Sequence, residues 1–147
     1  MKKLLLTILI LLLPCVSFGE GISLFATDGC SVFPDGTPAH KSLWAHCCIA
    51  HDIAYWQGGT YDQRLAADKQ LEQCVAQVGE PEIAQLMLAG VRVGGSPYFP
   101  TSYRWGYGWP YPRGYKALTK DEIKQVQQSL QSLELLIKSI LEQLSDK

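Results

Sequence analysis

The sequence predicts a mainly α-helical protein organised around an antiparallel pair of helices. Two stretches with helix-compatible spacing are separated only by a short turn that contains Gly58 and Gly59. A heptad pattern near the C-terminal end predicts a long amphipathic helix. Four cysteines follow the N-terminal segment, and an even number of them favours two disulfides that staple a small core.

The first nineteen residues have the pattern of a signal peptide. Two lysines precede the apolar run 4–13, and small residues follow at Ser17 and Gly19. We therefore expect export to a periplasm or the exterior, with a mature chain that begins near Glu20. An uncleaved anchor is disfavoured because the apolar run is shorter than the roughly 20 residues that cross a bilayer.

A lipid anchor on Cys15 is also disfavoured, because Pro14 stands where such signals carry a small residue. The chain of 147 residues has a net charge of −1, which argues against a nucleic-acid partner. We expect one small domain over residues 20–118, followed by a C-terminal helix over residues 119–147.

Residues 21–38 are rich in turn signals and predict a loop around Cys30. Pro38 follows a threonine that could cap a helix, so the first helix is predicted from Pro38 to about Trp56. The turn after it, residues 57–60, is so short that the next helix should run antiparallel to the first.

Thr60 and Gln63 have capping-box spacing and predict a second helix to about Val78. A short third helix is expected over residues 82–88, with its end at Gly90.

Residues 94–115 combine glycine, proline and many aromatic residues without a helical or strand period, which predicts an irregular but ordered segment. Two interpretations fit it: a surface that docks at a lipid–water boundary, or a wrap that closes the core of the helix pair.

Thr119 and Glu122 predict the start of a final helix that runs to about Leu144. The apolar face of this helix could be buried in either of two ways, by packing on its own domain or by association with copies of itself. Its apolar positions alternate by three and four: Ile123, Val126, Leu130, Leu133, Ile137, Ile140 and Leu144.

The candidate chemistry lies in the pattern CC-x-x-HD-x-x-Y, formed by Cys47, Cys48, His51, Asp52 and Tyr55. On a helix, the first cysteine, the histidine and the tyrosine fall on one face at four-residue spacing. The pattern resembles the active-site helix of the secreted, calcium-dependent phospholipases A2. The resemblance covers about residues 28–78.

Two further pairs agree with the resemblance. The two members of each pair lie at nearly equal distances from the turn along the sequence, as facing residues of an antiparallel helix pair do. The pairs are Cys47 with Cys74 and His51 with Asp68. The family's usual third cysteine is Ala54 here, and the position of its partner is also an alanine, so both halves of that bridge are absent together.

The resemblance implies two disulfides, Cys30–Cys48 and Cys47–Cys74. It also implies a phospholipid ester substrate at a membrane surface, with His51 as the general base, Asp68 as its orienting partner and Tyr55 as a hydrogen-bond donor to Asp68.

Calcium is the implied cofactor, bound by the Asp52 carboxylate and by the backbone carbonyls of Gly29, Ser31 and Phe33. The Ser31 amide is the implied oxyanion donor.

Two other interpretations compete with hydrolysis. A zinc site from His46, Cys47, Cys48 and His51 is disfavoured, because an exported chain should hold oxidised sulfur. A catalytically silent member of the same fold, which binds lipid or a partner protein, remains the main alternative.

Overall fold

A computed structural model describes residues 21–145, so the predicted signal peptide, residues 1–19, lies outside the described residues. The predicted mainly helical class with two disulfides is confirmed. No strand is present within residues 21–145. The helices are α1 (Ala45–Gln57), α2 (Tyr61–Gln77), α3 (Pro81–Gly94) and α4 (Lys120–Ser145).

The prediction that α1 begins at Pro38 is wrong, because the helix begins at Ala45 and is preceded by turns. The cause is the anchoring of Trp44, whose side chain is buried. Its amide donates to the Asp35 carbonyl at 3.0 Å, and its indole donates to the Pro34 carbonyl at 2.6 Å. These bonds fold the chain back on the preceding loop, and helical geometry starts only after them.

The turn between α1 and α2 has the predicted chemistry. Gly58 has φ of 67° and Gly59 has φ of 143°, backbone conformations that favour glycine. Thr60 and Gln63 form a complete capping box at the start of α2. The side-chain contacts Cys47–Cys74 and His51–Asp68 join the helices in reverse order, so α1 and α2 run antiparallel.

The two disulfides have the pairing that the resemblance implied. Cys30–Cys48 ties the N-terminal loop to α1 with a Cα–Cα distance of 5.0 Å, and Cys47–Cys74 joins α1 to α2 at 5.7 Å. Both lie in the main hydrophobic cluster, whose other buried members are Trp44, Leu71, Val75, Ala84 and Met87.

The third helix is longer than predicted. It extends to Gly94 and passes through Gly90, which was expected to end it. A glycine inside a helix costs about 1 kcal/mol relative to alanine. Packing of Ala84 and Met87 into the main cluster offsets this cost and carries the helix past the glycine.

The aromatic segment closes the C-terminal end of α1. Helix ends leave carbonyls without partners inside the helix, and here the segment supplies the donors. The bonds are Gly106 N to Tyr55 O at 2.6 Å, Gly108 N to Trp56 O at 3.0 Å, and Trp109 Nε1 to Gln57 O at 2.8 Å.

Trp105 and Trp109 are buried, so this part of the segment wraps the helix pair as the second interpretation expected. Tyr98, Phe99 and Tyr111 are exposed. Docking of these three at a lipid boundary stays a prediction.

The C-terminal helix agrees with its prediction to within one residue. Thr119 and Glu122 exchange hydrogen bonds of 2.8 and 3.2 Å and form the expected capping box. Val126 packs against Trp56 and Trp109 and docks the N-terminal part of α4 on the domain. Among the residues described, no helix combines the length and the apolar character that crossing a bilayer requires.

Candidate active site

The centre of the site is a buried pair formed by His51 on α1 and Asp68 on α2. His51 Nε2 lies 3.0 Å from Asp68 Oδ1, and Asp68 is fully inaccessible to solvent. An ionised carboxylate only accepts hydrogen bonds, so the proton is assigned to Nε2 and the lone pair to Nδ1. The hairpin therefore holds the imidazole in a fixed orientation, with Nε2 toward Asp68.

Tyr55 reinforces this pair from one turn further along α1. Its hydroxyl donates to Asp68 Oδ1 at 2.7 Å, as the resemblance implied, and its ring lies 4.1 Å from the His51 ring, centroid to centroid. Burial and the Asp68 carboxylate raise the pKa of the Tyr55 hydroxyl well above its ordinary value. The hydroxyl therefore stays protonated and acts as a donor.

Two arginines at Asp68 were not predicted. Arg92 Nε on α3 lies 2.8 Å from Asp68 Oδ2, and Arg64 Nε on α2 donates to the Tyr55 hydroxyl at 3.1 Å. Arg64 also donates to the backbone carbonyls of Val91 and Arg92. A carboxylate with no exposed surface needs such cationic partners to remain ionised.

The sequence held a signal for one of the two arginines. Arg64 precedes Asp68 by four residues on one helix, the spacing of an intrahelical ion pair. Arg92 lies beyond Gly90, where the third helix was expected to have ended, so no helical register connected it to the site.

We expect Arg92→Gln to lower the free energy of unfolding by about 1.5 to 3 kcal/mol, because it removes a charged partner from a buried carboxylate. The matched control is Lys138→Gln, which breaks the exposed Glu134–Lys138 pair and should cost less than about 0.5 kcal/mol. Urea unfolding followed by circular dichroism measures both. Equal losses in the two variants would contradict the role of Arg92.

Asp52 lies beside His51 but faces a different neighbour. Its Oδ2 accepts a 2.6 Å hydrogen bond from the Thr27 hydroxyl, which the sequence did not single out. Burial raises the pKa of the Asp52 carboxyl to about 6, against the opposing effect of the Thr27 hydrogen bond. The cost of this buried charge would fall if a cation bound beside it.

The loop around Cys30 brings backbone oxygens to the same region. Gly29 has φ of 78°. Val32, with φ of 61°, is the one non-glycine residue within 21–145 that has a positive φ. Within residues 21–145, no hydrogen bond is directed at the carbonyls of Gly29, Ser31 or Phe33. The three carbonyls therefore have no hydrogen-bond donor within this part of the chain.

These groups share one cavity with a volume of about 470 Å³. Gly29, Ser31, Phe33, His51 and Asp52 are among the residues that line it. The rest of the wall is mainly apolar and comes from α2, α3 and the aromatic segment: Leu71, Leu86, Met87, Val91, Val93 and Tyr103. The predicted catalytic and calcium-binding residues other than Asp68 all line this cavity, and Asp68 lies behind His51.

The zinc interpretation has no support in the sulfur chemistry. His46 Nε2 lies 3.5 Å from Cys47 Sγ and 3.7 Å from Cys74 Sγ, so the three residues do cluster. The two sulfurs are bonded to each other, and Cys48 is bonded to Cys30. Disulfide sulfur is not the thiolate that zinc requires.

Comparison of the chain with protein-family models, with curated proteins and with solved structures finds no significant match.

Proposed function

We propose that this chain is an exported, calcium-dependent hydrolase of phospholipid acyl esters, similar in its core to the secreted phospholipases A2. One observation carries the proposal: His51, paired with the buried Asp68, lines a mainly apolar cavity that Asp52 also lines. This combination suits a substrate with a charged head and an acyl chain. The resemblance to the phospholipase motif supports the same reaction.

In the proposed reaction, His51 Nδ1 accepts a proton from a water molecule as the water oxygen attacks the ester carbonyl. The Asp68 carboxylate stabilises the imidazolium that forms, and Tyr55 keeps that carboxylate oriented. The Ser31 amide donates to the carbonyl oxygen as it gains negative charge. The imidazolium then returns its proton to the departing alkoxide, which releases a fatty acid and a lysophospholipid.

The residues that the resemblance assigns to calcium are of a chemical type that fits this ion. A carboxylate and backbone carbonyls are the oxygen ligands that Ca²⁺ prefers, and here Asp52, Gly29, Ser31 and Phe33 line one cavity. Asp52 is buried, and this burial raises the pKa of its carboxyl to about 6. When bound, the ion would supply positive charge that polarises the ester.

We expect calcium to stabilise the protein against unfolding, and Asp52→Asn to abolish both this stabilisation and hydrolysis. A ligand that binds only the folded state adds about 2.7 kcal/mol at a concentration one hundred times its dissociation constant. Thermal unfolding with and without calcium measures the effect. The matched control is Asp121→Asn on the exposed start of α4, which should retain the full response. An unchanged calcium response in Asp52→Asn would contradict the ligand assignment.

Lipid binding without hydrolysis is the second candidate. It is favoured by Val32, whose left-handed backbone costs a non-glycine residue about 1 to 2 kcal/mol. A strained loop could fail to close on calcium while the apolar cavity still accepts an acyl chain. This candidate predicts that the protein binds fatty acid in the cavity but releases none from phospholipid, with or without calcium.

A further inference from the structure

The C-terminal half of α4 projects from the domain with an uncovered apolar face. The helix has 26 residues, and at 1.5 Å per residue it is about 39 Å long. Its first part is docked through Val126, and Gln125 accepts a hydrogen bond from the Ile22 amide. Beyond Leu133, every residue of the helix up to residue 145 is exposed. The exposed apolar residues are Leu135, Leu136, Ile137, Ile140, Leu141 and Leu144.

The heptad pattern continues through this exposed part. With Ile123 at position a, Leu130, Ile137 and Leu144 also occupy a, and Leu133 and Ile140 occupy d. Contacts with the domain explain only the burial of Val126 and the partial burial of Leu130. The seam from Leu133 to Leu144 has no covering element among the described residues.

The charges of this part favour a protein partner over a lipid surface. Helices that lie on membranes carry lysine and arginine along their polar face. Residues 127–145 contain one lysine, Lys138, and two acids, Glu134 and Glu142, and the remaining polar residues are glutamine and serine. The lysine pairs with Glu134 on its own helix. Residues 127–145 therefore present no basic surface to anionic lipid.

Two exposed leucines indicate which helix pairs with α4 and in which direction that helix runs. Leu136 occupies position g and Leu141 occupies position e, five residues later. In a parallel, in-register coiled coil, g of one helix faces the following e of its neighbour, so Leu136 meets the partner's Leu141. The same rule places Ser129 beside the partner's Glu134, which brings no like charges together.

The antiparallel register that overlaps Leu133 to Leu144 would not match these residues, because g then faces g and e faces e. Leu136 would then lie against the partner's Gln143, and Leu141 against the partner's Glu134. Each leucine would meet a polar group instead of another leucine.

We propose that α4 forms a parallel, in-register coiled coil with α4 of other copies of this chain, over the part from Leu130 to Leu144. Apolar residues at e and g widen the seam beyond the strip that a two-stranded coiled coil buries. The assembly therefore contains three or more chains. Its catalytic domains all lie at the N-terminal end of the bundle, because each domain is docked at the start of its own α4.

The test is the molar mass of the purified, disulfide-bonded protein, measured by sedimentation equilibrium across a concentration series. The expected mass is at least three times that of the monomer. Ile137→Glu and Leu141→Glu, which place charge in the seam and on its flank, should each reduce the mass to that of the monomer. Leu135→Glu is the matched control, because Leu135 is equally exposed but lies at position f on the opposite face.

A second measurement checks the direction of the helices. Ile140→Cys places one thiol at a d position, where parallel in-register helices bring identical residues together. Oxidation should then link two chains through this cysteine, and the Leu135→Cys control should not crosslink. A monomeric wild-type protein, or equal loss of mass in Leu135→Glu and Ile137→Glu, would overturn the proposal. So would a monomer that binds phosphatidylcholine vesicles through Ile137, since the partner would then be lipid.

Discussion

Replacing His51 by Gln should lower the rate of phospholipid hydrolysis by about 100-fold to 10,000-fold, the usual contribution of a positioned general base. Glutamine has a side-chain amide that can donate to Asp68 in place of the imidazole N–H, so the buried carboxylate keeps a hydrogen-bond partner on α1. It has no nitrogen that can accept a proton at neutral pH. The loss should therefore fall on the reaction and leave calcium-induced stabilisation intact.

His40→Gln is the matched control for this variant, because His40 is exposed and the hydrogen bonds at this residue are made by its backbone. Its hydrolysis rate should equal that of the wild type. The contrast with Asp52→Asn is also informative, since that variant should lose calcium binding and hydrolysis together. Wild-type activity in His51→Gln would show that this histidine is not the general base.

The largest expected effect on stability comes from the disulfide between α1 and α2. It closes a loop with a sequence separation of 27 residues, and the chain-entropy model assigns about 3.5 kcal/mol to a loop of this length. Cys47 is 1% exposed and lies in the main cluster. We therefore expect Cys47→Ala with Cys74→Ala to lower the free energy of unfolding by about 2 to 4 kcal/mol.

The other disulfide serves as the control because its separation, 18 residues, gives nearly the same entropy in that model. Removing Cys30 and Cys48 should destabilise the protein by a similar amount. It should also weaken calcium binding, because Cys30 lies in the loop that carries the candidate carbonyl ligands. Urea unfolding and calcium titration of both double variants separate the two effects. If both double variants lost calcium affinity equally, the Cys30–Cys48 disulfide would have no specific role in calcium binding.

Local sequence rules located the helix starts where a capping box was present. Thr60 with Gln63 and Thr119 with Glu122 were predicted from spacing alone, and both boxes form. Such caps depend on four adjacent residues, so the sequence carries all the information that they need.

Boundaries set by tertiary contacts could not be predicted. Trp44 delays the start of α1 through bonds to a loop about ten residues away. Gly90 stays helical because α3 packs on the main cluster. Arg92 reaches Asp68 only because that helix continues past the glycine. Each outcome depends on a neighbour that local periodicity does not identify.

The candidate site was predictable to a larger extent, because a helix with fixed periodicity carries most of it. Cys47, His51 and Tyr55 share one face of α1, and the short turn determines which residues of α2 face them. The loop residues depend instead on backbone torsions. Val32 in the left-handed region is a case in which residue type gave no indication of the conformation.

The most direct test of the proposed function is the release of fatty acid from phospholipid vesicles by the purified, disulfide-bonded protein, in calcium and in excess chelator. We expect release in calcium and little or none in chelator, with lysophospholipid as the second product. An absence of fatty acid release in calcium, from protein with native helix content and both disulfides formed, would contradict hydrolysis and leave lipid binding as the function of the cavity.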